Sequence, residues 1–139
     1  MRATTSGTEV AHYLDSSALV KLVVFEAEST ALRAWLTSEN RDPVTSDLAR
    51  TELLRAVRRA APDRAVAAHE VLATMTVLTL STETFEAAAR LDPMTLRSLD
   101  ALHLAVALEL GDDLDGIVVY DERLADAANA YGISTLAPA

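Results

Sequence analysis

The chain has 139 residues, half of them hydrophobic, with 21 acidic side chains against 12 basic ones and a formal charge of −9. That length supports one folded core and not two, and the composition excludes a disordered chain. The absence of cysteine excludes a disulfide framework and a thiolate metal site, and the acidic balance excludes the broad basic surface by which nucleic-acid binders are usually recognised.

Three histidines, His12, His69 and His103, are too scattered to suggest a zinc site, which leaves hard-metal chemistry on oxygen ligands open. The acids then either serve in part as metal ligands or mark a protein whose partner is not nucleic acid. A partner protein with a basic segment suits the surface either way. Met1–Glu9 lacks the apolar core of a signal peptide, and no stretch approaches the roughly 20 apolar residues of a membrane span. A cytoplasmic protein with no membrane contact is expected.

After a lead over residues 1–9 that is expected to be flexible, the chain has a short β-compatible run, Val10–Leu14, that leads directly into Asp15. Helical spacing follows over Ser17–Val24 and Ala31–Leu36. Pro43–Ser46 reads as a short strand, with Ser46 or Asp47 capping the next helix. That helix, Leu48–Ala61, aligns Ala49, Leu53, Ala56, Val57 and Ala60 on one side and stops before Pro62. A helix over Arg64–Ala73, a strand over Thr76–Leu80 and a helix over Thr82–Leu91 come next. Ser98 is expected to cap a strongly apolar helix, Leu99–Leu110, which Gly111 stops. Gly116–Tyr120 reads as a buried strand ending at Asp121. Leu124–Tyr131 is helical with Gly132 as its stop, and Ile133–Leu136 is a last edge strand. Strands alternating with helices predict a single α/β domain over residues 1–139, built on a mostly parallel sheet.

Acids at strand ends are better functional candidates than acids on helix faces, because ligands of open parallel sheets bind outside the carboxyl ends of the strands. Asp15 and Asp121 hold such positions, although Asp is also a common turn or cap residue. Asp100 stands in the first turn of the most apolar helix. The helix dipole accounts for it if solvated, and a cation would be needed to offset burial. Glu52 lies beside the apolar stripe of Leu48–Ala61, where an ion pair with Arg55 is the ordinary alternative. His103, three residues after Asp100, reads as a core histidine with one nitrogen satisfied.

Four blocks carry a resemblance: Tyr13-Leu-Asp-Ser-Ser-Ala-Leu-Val20, Thr51-Glu-Leu-Leu-Arg-Ala-Val57, Leu96-Arg-Ser-Leu-Asp-Ala-Leu-His-Leu-Ala105, and Tyr120–Ala128 with Tyr131-Gly-Ile133. In order and spacing they resemble the PIN-domain nucleases, in particular the VapC-type toxins of bacterial toxin–antitoxin pairs. The resemblance implies a three-layer α/β/α sandwich and Mg²⁺- or Mn²⁺-dependent endoribonuclease activity. It further implies RNA as substrate, a homodimer, and a small VapB-type antitoxin that inserts a segment at an acidic pocket. The family's four acids fall on Asp15, Glu52, Asp100 and Asp121, and its accompanying hydroxyl on Ser17. Asp15 and Asp100 are expected to touch the metal directly, with Glu52 and Asp121 acting through water or on a second ion.

A net acidic enzyme can still hold RNA if ions supply local positive charge and a few arginines line the approach. Arg50, Arg55 and Arg97 are the candidates, whereas Arg58 and Arg59 read at least as well as a solvated helix face. Two alternatives differ in class. A phosphotransfer domain would use Asp15 as nucleophile, but the haloacid-dehalogenase pattern needs an acid where Ser17 stands, and a receiver needs an acidic pair where His12-Tyr13-Leu14 stands. A non-catalytic interaction module would have no reason to keep all four acids.

Overall fold

The computed structural model describes residues 10–139, so the expected N-terminal lead lies outside the described residues. In chain order the elements are β1 (Val10–Leu14), α1 (Ser16–Val23), α2 (Ser29–Thr37), β2 (Arg41–Ser46), α3 (Asp47–Ala60), α4 (Ala65–Ala73), β3 (Thr76–Leu78), α5 (Thr82–Ala89), α6 (Ser98–Leu110), β4 (Gly116–Val118), α7 (Glu122–Ala130) and β5 (Thr135–Leu136). The strands form one sheet in the order β3-β2-β1-β4-β5, and every pairing is parallel. The expected mostly parallel sheet is therefore parallel throughout.

Side-chain alternation along the central strands builds the two outer layers. Leu14 of β1 and Val118 of β4 pack on one face with Ala18, Leu19, Leu22, Leu32, Ala49, Leu53, Val57, Ala68 and Leu72 from α1 to α4. Ala11 and Tyr13 of β1 and Ile117 of β4 point to the other face, against Leu104 and Val106 of α6 and Leu124, Ala127 and Ala128 of α7. Ala88 of α5 meets Ala101 and Ala105 of α6 in a small outer cluster. A sheet covered on both faces demands apolar residues at successive positions, which is why β1 and β4 read as short continuous runs and not as alternating ones. Among the described residues no helix is long and apolar enough to cross a membrane.

Several expected boundaries shift. The sheet ladder assigns β3, β4 and β5 shorter spans than the apolar patterns suggested, so Asp121 stands three residues beyond the end of β4 and not directly at it. Ser98 is the first residue of α6 and caps nothing; Arg97 holds the cap position without a side-chain bond. Ser46 does occupy the cap of α3, but its hydroxyl makes no capping bond, because it is committed to Tyr13. Ala60, expected on the buried stripe of α3, is exposed, and Leu99 of α6 is 48% exposed. Both lie near helix ends, where the packed neighbours run out. The two expected glycine stops hold: Gly111 and Gly132 have φ of +55° and +83°, a region that costs other residues a steric penalty.

Gly116 marks where β4 squeezes between its neighbours. A Cβ built there would lie 2.9 Å from Leu136 Cδ1 and 3.1 Å from the Ser134 carbonyl oxygen. The bare backbone lets β5 close against β4, and with it the strand exit that carries the chain toward Asp121.

Candidate active site

The order β3-β2-β1-β4-β5 places the topological switch between β1 and β4, and Asp15 emerges there, at the carboxyl end of β1. Its amide donates to the Val118 carbonyl at 3.4 Å, tying it to the end of β4. Asp15 also caps α1: its Oδ1 accepts from the Ala18 amide at 3.1 Å and from the Ser17 hydroxyl at 2.6 Å. Ser17 Oγ in turn accepts from the Tyr120 amide at 3.0 Å. One hydroxyl thus fixes the carboxylate and holds the chain leaving β4 beside it. Asp15 is 3% exposed, and its Oδ2 accepts no hydrogen bond among the described residues.

Burial raises the Asp15 carboxyl to about 6, against the pull of the Ser17 hydroxyl, the His103 ring and the Ala18 amide, and Glu52 pushes in the same direction as burial. Asp100, in the first turn of α6, is also raised, first by burial and then by Asp121, with Arg97 opposing. Asp121 caps α7, its Oδ1 accepting from the amides of Arg123 and Leu124 at 2.9 and 3.2 Å. Both acids therefore serve as helix caps through Oδ1, and Asp15 also stands directly at a strand end, whereas Asp121 lies three residues past β4.

The four acids influence one another in two couples: the charge of Glu52 acts on Asp15, and that of Asp121 on Asp100. Arg97 closes the second pair, with Nε 3.4 Å from Asp100 Oδ2 and Nη2 3.2 Å from Asp121 Oδ2. Glu52 reaches across from α3 and accepts from His103 Nε2 at 2.6 Å, not from Arg55. His103 is 1% exposed and both its nitrogens are satisfied, Nδ1 by the Tyr13 hydroxyl at 2.7 Å. The Tyr13 hydroxyl also meets Ser46 Oγ at 2.9 Å. Sequence reasoning gave Tyr13 no role at the site and read Ser46 only as a helix cap. The available signal was a phenol in the middle of a buried strand, which must find a polar partner.

Arg50 pairs with Asp47 at 3.4 Å on an exposed face. Arg55 lines a groove of about 450 Å³ together with Ser17, Glu52, Arg59 and Leu99. Of the arginines singled out, Arg55 and the less favoured Arg59 thus flank the candidate site from α3, and Arg97 sits on the acids themselves.

Among the described residues no three acidic or histidine side chains are gathered closely enough to make a ready metal cage. Mg²⁺ does not require one, because it keeps several waters and takes one or two carboxylates directly. The donor chemistry fits such an ion: carboxylate oxygens only, two of them on groups whose protonation is favoured by burial and by a like-charged neighbour.

If Arg97 is the charge that steadies the second pair, Arg97→Ala should move the Asp100 carboxyl further up. The metal-free fold should then lose less than about 1 kcal/mol at neutral pH, the scale of a partly exposed pair. Titration of Asp100 by NMR in both proteins checks this, and an unmoved Asp100 would contradict it.

A buried carboxylate thus stands at the switch point of a fully parallel sheet, in a chain without thiols. The chain belongs to the PIN-domain family, whose pattern matches residues 12–130. Its relatives include Ribonuclease VapC46 of Mycobacterium tuberculosis strain H37Rv, 44% identical over 127 residues that cover 91% of this chain and 96% of the relative. Ribonuclease VapC47 of Mycobacterium tuberculosis strain CDC 1551 is 40% identical over 130 residues, with the same coverage of each chain. The fold is similar to that of VapC20 of Mycobacterium tuberculosis, a sarcin–ricin-loop-cleaving toxin (TM-score 0.71, 21% identity, 91% of this chain and 98% of that one). It is also similar to a chain of a toxin–antitoxin complex from Klebsiella pneumoniae (TM-score 0.71, 17% identity, 92% and 98%). Family membership sets aside the haloacid-dehalogenase-like and receiver-like alternatives.

Proposed function

We propose that this protein is a divalent-metal-dependent endoribonuclease acting as the toxin of a toxin–antitoxin pair. The observation that carries the reading is Asp15: a buried carboxylate at the sheet's switch point, held through one oxygen and with no bond to the other among the described residues, in a chain 40–44% identical to ribonucleases of the VapC group.

Asp15 and Asp100 would hold Mg²⁺ (or Mn²⁺) directly, with Glu52 and Asp121 acting through water or on a second ion. When bound, the ion supplies a water activated for attack and neutralises charge at the phosphodiester. The protein's own contribution is placement. Ser17 locks the Asp15 carboxylate against α1 and β4. Arg55 and Arg59 line the groove that leads to Glu52, where guanidinium forks suit the phosphates of an RNA strand. Arg97 would exchange its carboxylate partners for phosphate once the acids are engaged. The acidic charge of the site would be offset by the bound ion together with Arg55, Arg59 and Arg97.

Purified protein should cleave RNA with Mg²⁺ or Mn²⁺, lose that activity with EDTA, and leave 5′-phosphate and 3′-hydroxyl ends. Cleavage that persists in EDTA would reject metal dependence; no cleavage of any cellular RNA in saturating Mg²⁺ would favour the non-catalytic interaction module.

The same four carboxylates would attract a guanidinium from a small VapB-type antitoxin, which binds carboxylates through paired, charge-assisted hydrogen bonds. Co-expression with the neighbouring small open reading frame should yield a complex, and replacing one basic residue of that partner with Ala should weaken inhibition more than assembly. A homodimer is part of the same proposal, tested by light scattering on the free protein.

A further inference from the structure

The polar file behind Glu52 crosses four elements: Ser46 at the end of β2, Tyr13 on β1, His103 on α6 and Glu52 on α3, linked at 2.9, 2.7 and 2.6 Å. We propose that His103, held in place by Tyr13 and Ser46, is a positioning residue that aims the Glu52 carboxylate into the cleft. The inference rests on the reading of Glu52 as one of the acids that serve the metal.

Hydrogen-bond logic fixes the direction of the last link. An ionised carboxylate can only accept, so Nε2 must carry the hydrogen it gives to Glu52 Oε1. Tyr13 can give a hydrogen bond to Nδ1 or take one from it, and the serine hydroxyl can complete the file in either case. Donation to Glu52 therefore holds whether the ring is neutral or charged.

A buried histidine needs only some partner to satisfy each nitrogen, and a nearby carbonyl would do. Here the partner is a carboxylate 51 residues away on another helix, standing at the lip of the groove with its side chain 24% exposed. Glu52 Oε2 accepts no hydrogen bond among the described residues. A glutamate on a free helix face samples several rotamers, whereas a short bond to a ring fixed by α6 and Tyr13 removes that freedom before ligand arrives. Hydrogen bonds from an outer group to a metal-binding carboxylate orient it, and their loss lowers metal affinity or activity by about 10–100-fold.

The test compares wild type, Glu52→Gln, His103→Gln, His103→Leu, Tyr13→Phe and the double variant Glu52→Gln/His103→Leu, after melting curves establish which are folded. Mn²⁺ affinity is read by calorimetry and RNA cleavage is measured in parallel. His103→Leu should lose about 10–100-fold in Mn²⁺ affinity, while His103→Gln, whose amide can still donate toward Glu52, should recover most of it. Tyr13→Phe should weaken binding in the same sense without altering the fold. The double variant should be no worse than the worse single variant, because His103 acts on the metal only through the Glu52 carboxylate. The inference is overturned if folded His103→Leu stays within about twofold of wild type, if the losses multiply in the double variant, or if His103→Gln falls as far as His103→Leu. Should His103→Leu not fold, Tyr13→Phe decides: wild-type Mn²⁺ affinity there overturns the proposal. If Glu52→Gln alone changes neither measurement, it is the metal-site reading of Glu52 that fails.

Discussion

Asp15→Asn is expected to reduce metal-dependent RNA cleavage by about 100-fold or more, the scale on which single preorganised electrostatic groups act, while making the metal-free protein more stable at neutral pH. The two effects share one cause. Burial holds the Asp15 carboxyl at about 6 in the fold against an ordinary value of 3.8, so folding favours its protonated form. A carboxyl raised in this way contributes stability that is fully present below pH ~4 and is lost as pH rises through ~6. A shift of that size corresponds to about 3 kcal/mol lost between those limits. Asn keeps the shape, can still accept from the Ala18 amide and the Ser17 hydroxyl, and is a good helix cap. It carries no charge to bury. Urea melts of wild type and variant in EDTA from pH 4 to pH 8 measure the difference. Wild type should weaken toward neutral pH by this contribution, and the variant should lack that slope. A variant less stable than wild type at pH 7, or one that still cleaves RNA normally, would show that the carboxylate is structural.

Asp100→Asn should have a comparable effect on cleavage and a smaller one on stability. Asp100 is less deeply placed than Asp15, with 15% of its side chain exposed and Arg97 beside it. Its carboxyl is nonetheless raised by burial and by Asp121, so the sign is the same: the metal-free fold gains from protonation at acid pH and loses as pH rises. Asn relieves the repulsion with Asp121 but gives up the favourable charge in the first turn of α6, worth about 0.3–1 kcal/mol. These nearly offset, and the melting temperature in EDTA should change little. Mn²⁺ affinity should fall sharply, since a strong anionic ligand is replaced by a weak neutral one. Wild-type cleavage by the Asn variant in saturating Mg²⁺ would remove Asp100 from the site.

Both variants test acids that stood out in the linear chain, and the reason they did so is physical. Asp15 ends an apolar run, and Asp100 interrupts the most apolar one. A charge at either place needs a turn, a cap or a ligand to explain it. Periodicity likewise placed the order of strands and helices, because a sheet covered on both faces and helices with one buried stripe leave separate marks on a sequence. The helix ends marked by Gly111 and Gly132 were legible for the same reason, as local backbone geometry selects the residue.

Pairing was not legible, because it depends on which elements become neighbours. Spacing along α3 made Arg55 the natural partner of Glu52, yet the sheet order brings α6 across and supplies His103. Arg97 read as a contact for RNA, and only the convergence of α6 with the exit from β4 sets it between Asp100 and Asp121. Ser46 looked like a helix cap until the neighbouring strand presented the Tyr13 hydroxyl, a buried partner for which water offers no substitute. The lengths of β3, β4 and β5 were overread because an apolar run reports burial, while a strand also requires a partner in register. The sequence by itself determined the class of fold and singled out the candidate acids, through composition, period and local backbone preference. Tertiary structure alone decided what each acid faces, since contacts such as that between Ser17 and Tyr120, 103 positions apart, exist only once the parallel sheet has brought β1, β2 and β4 side by side.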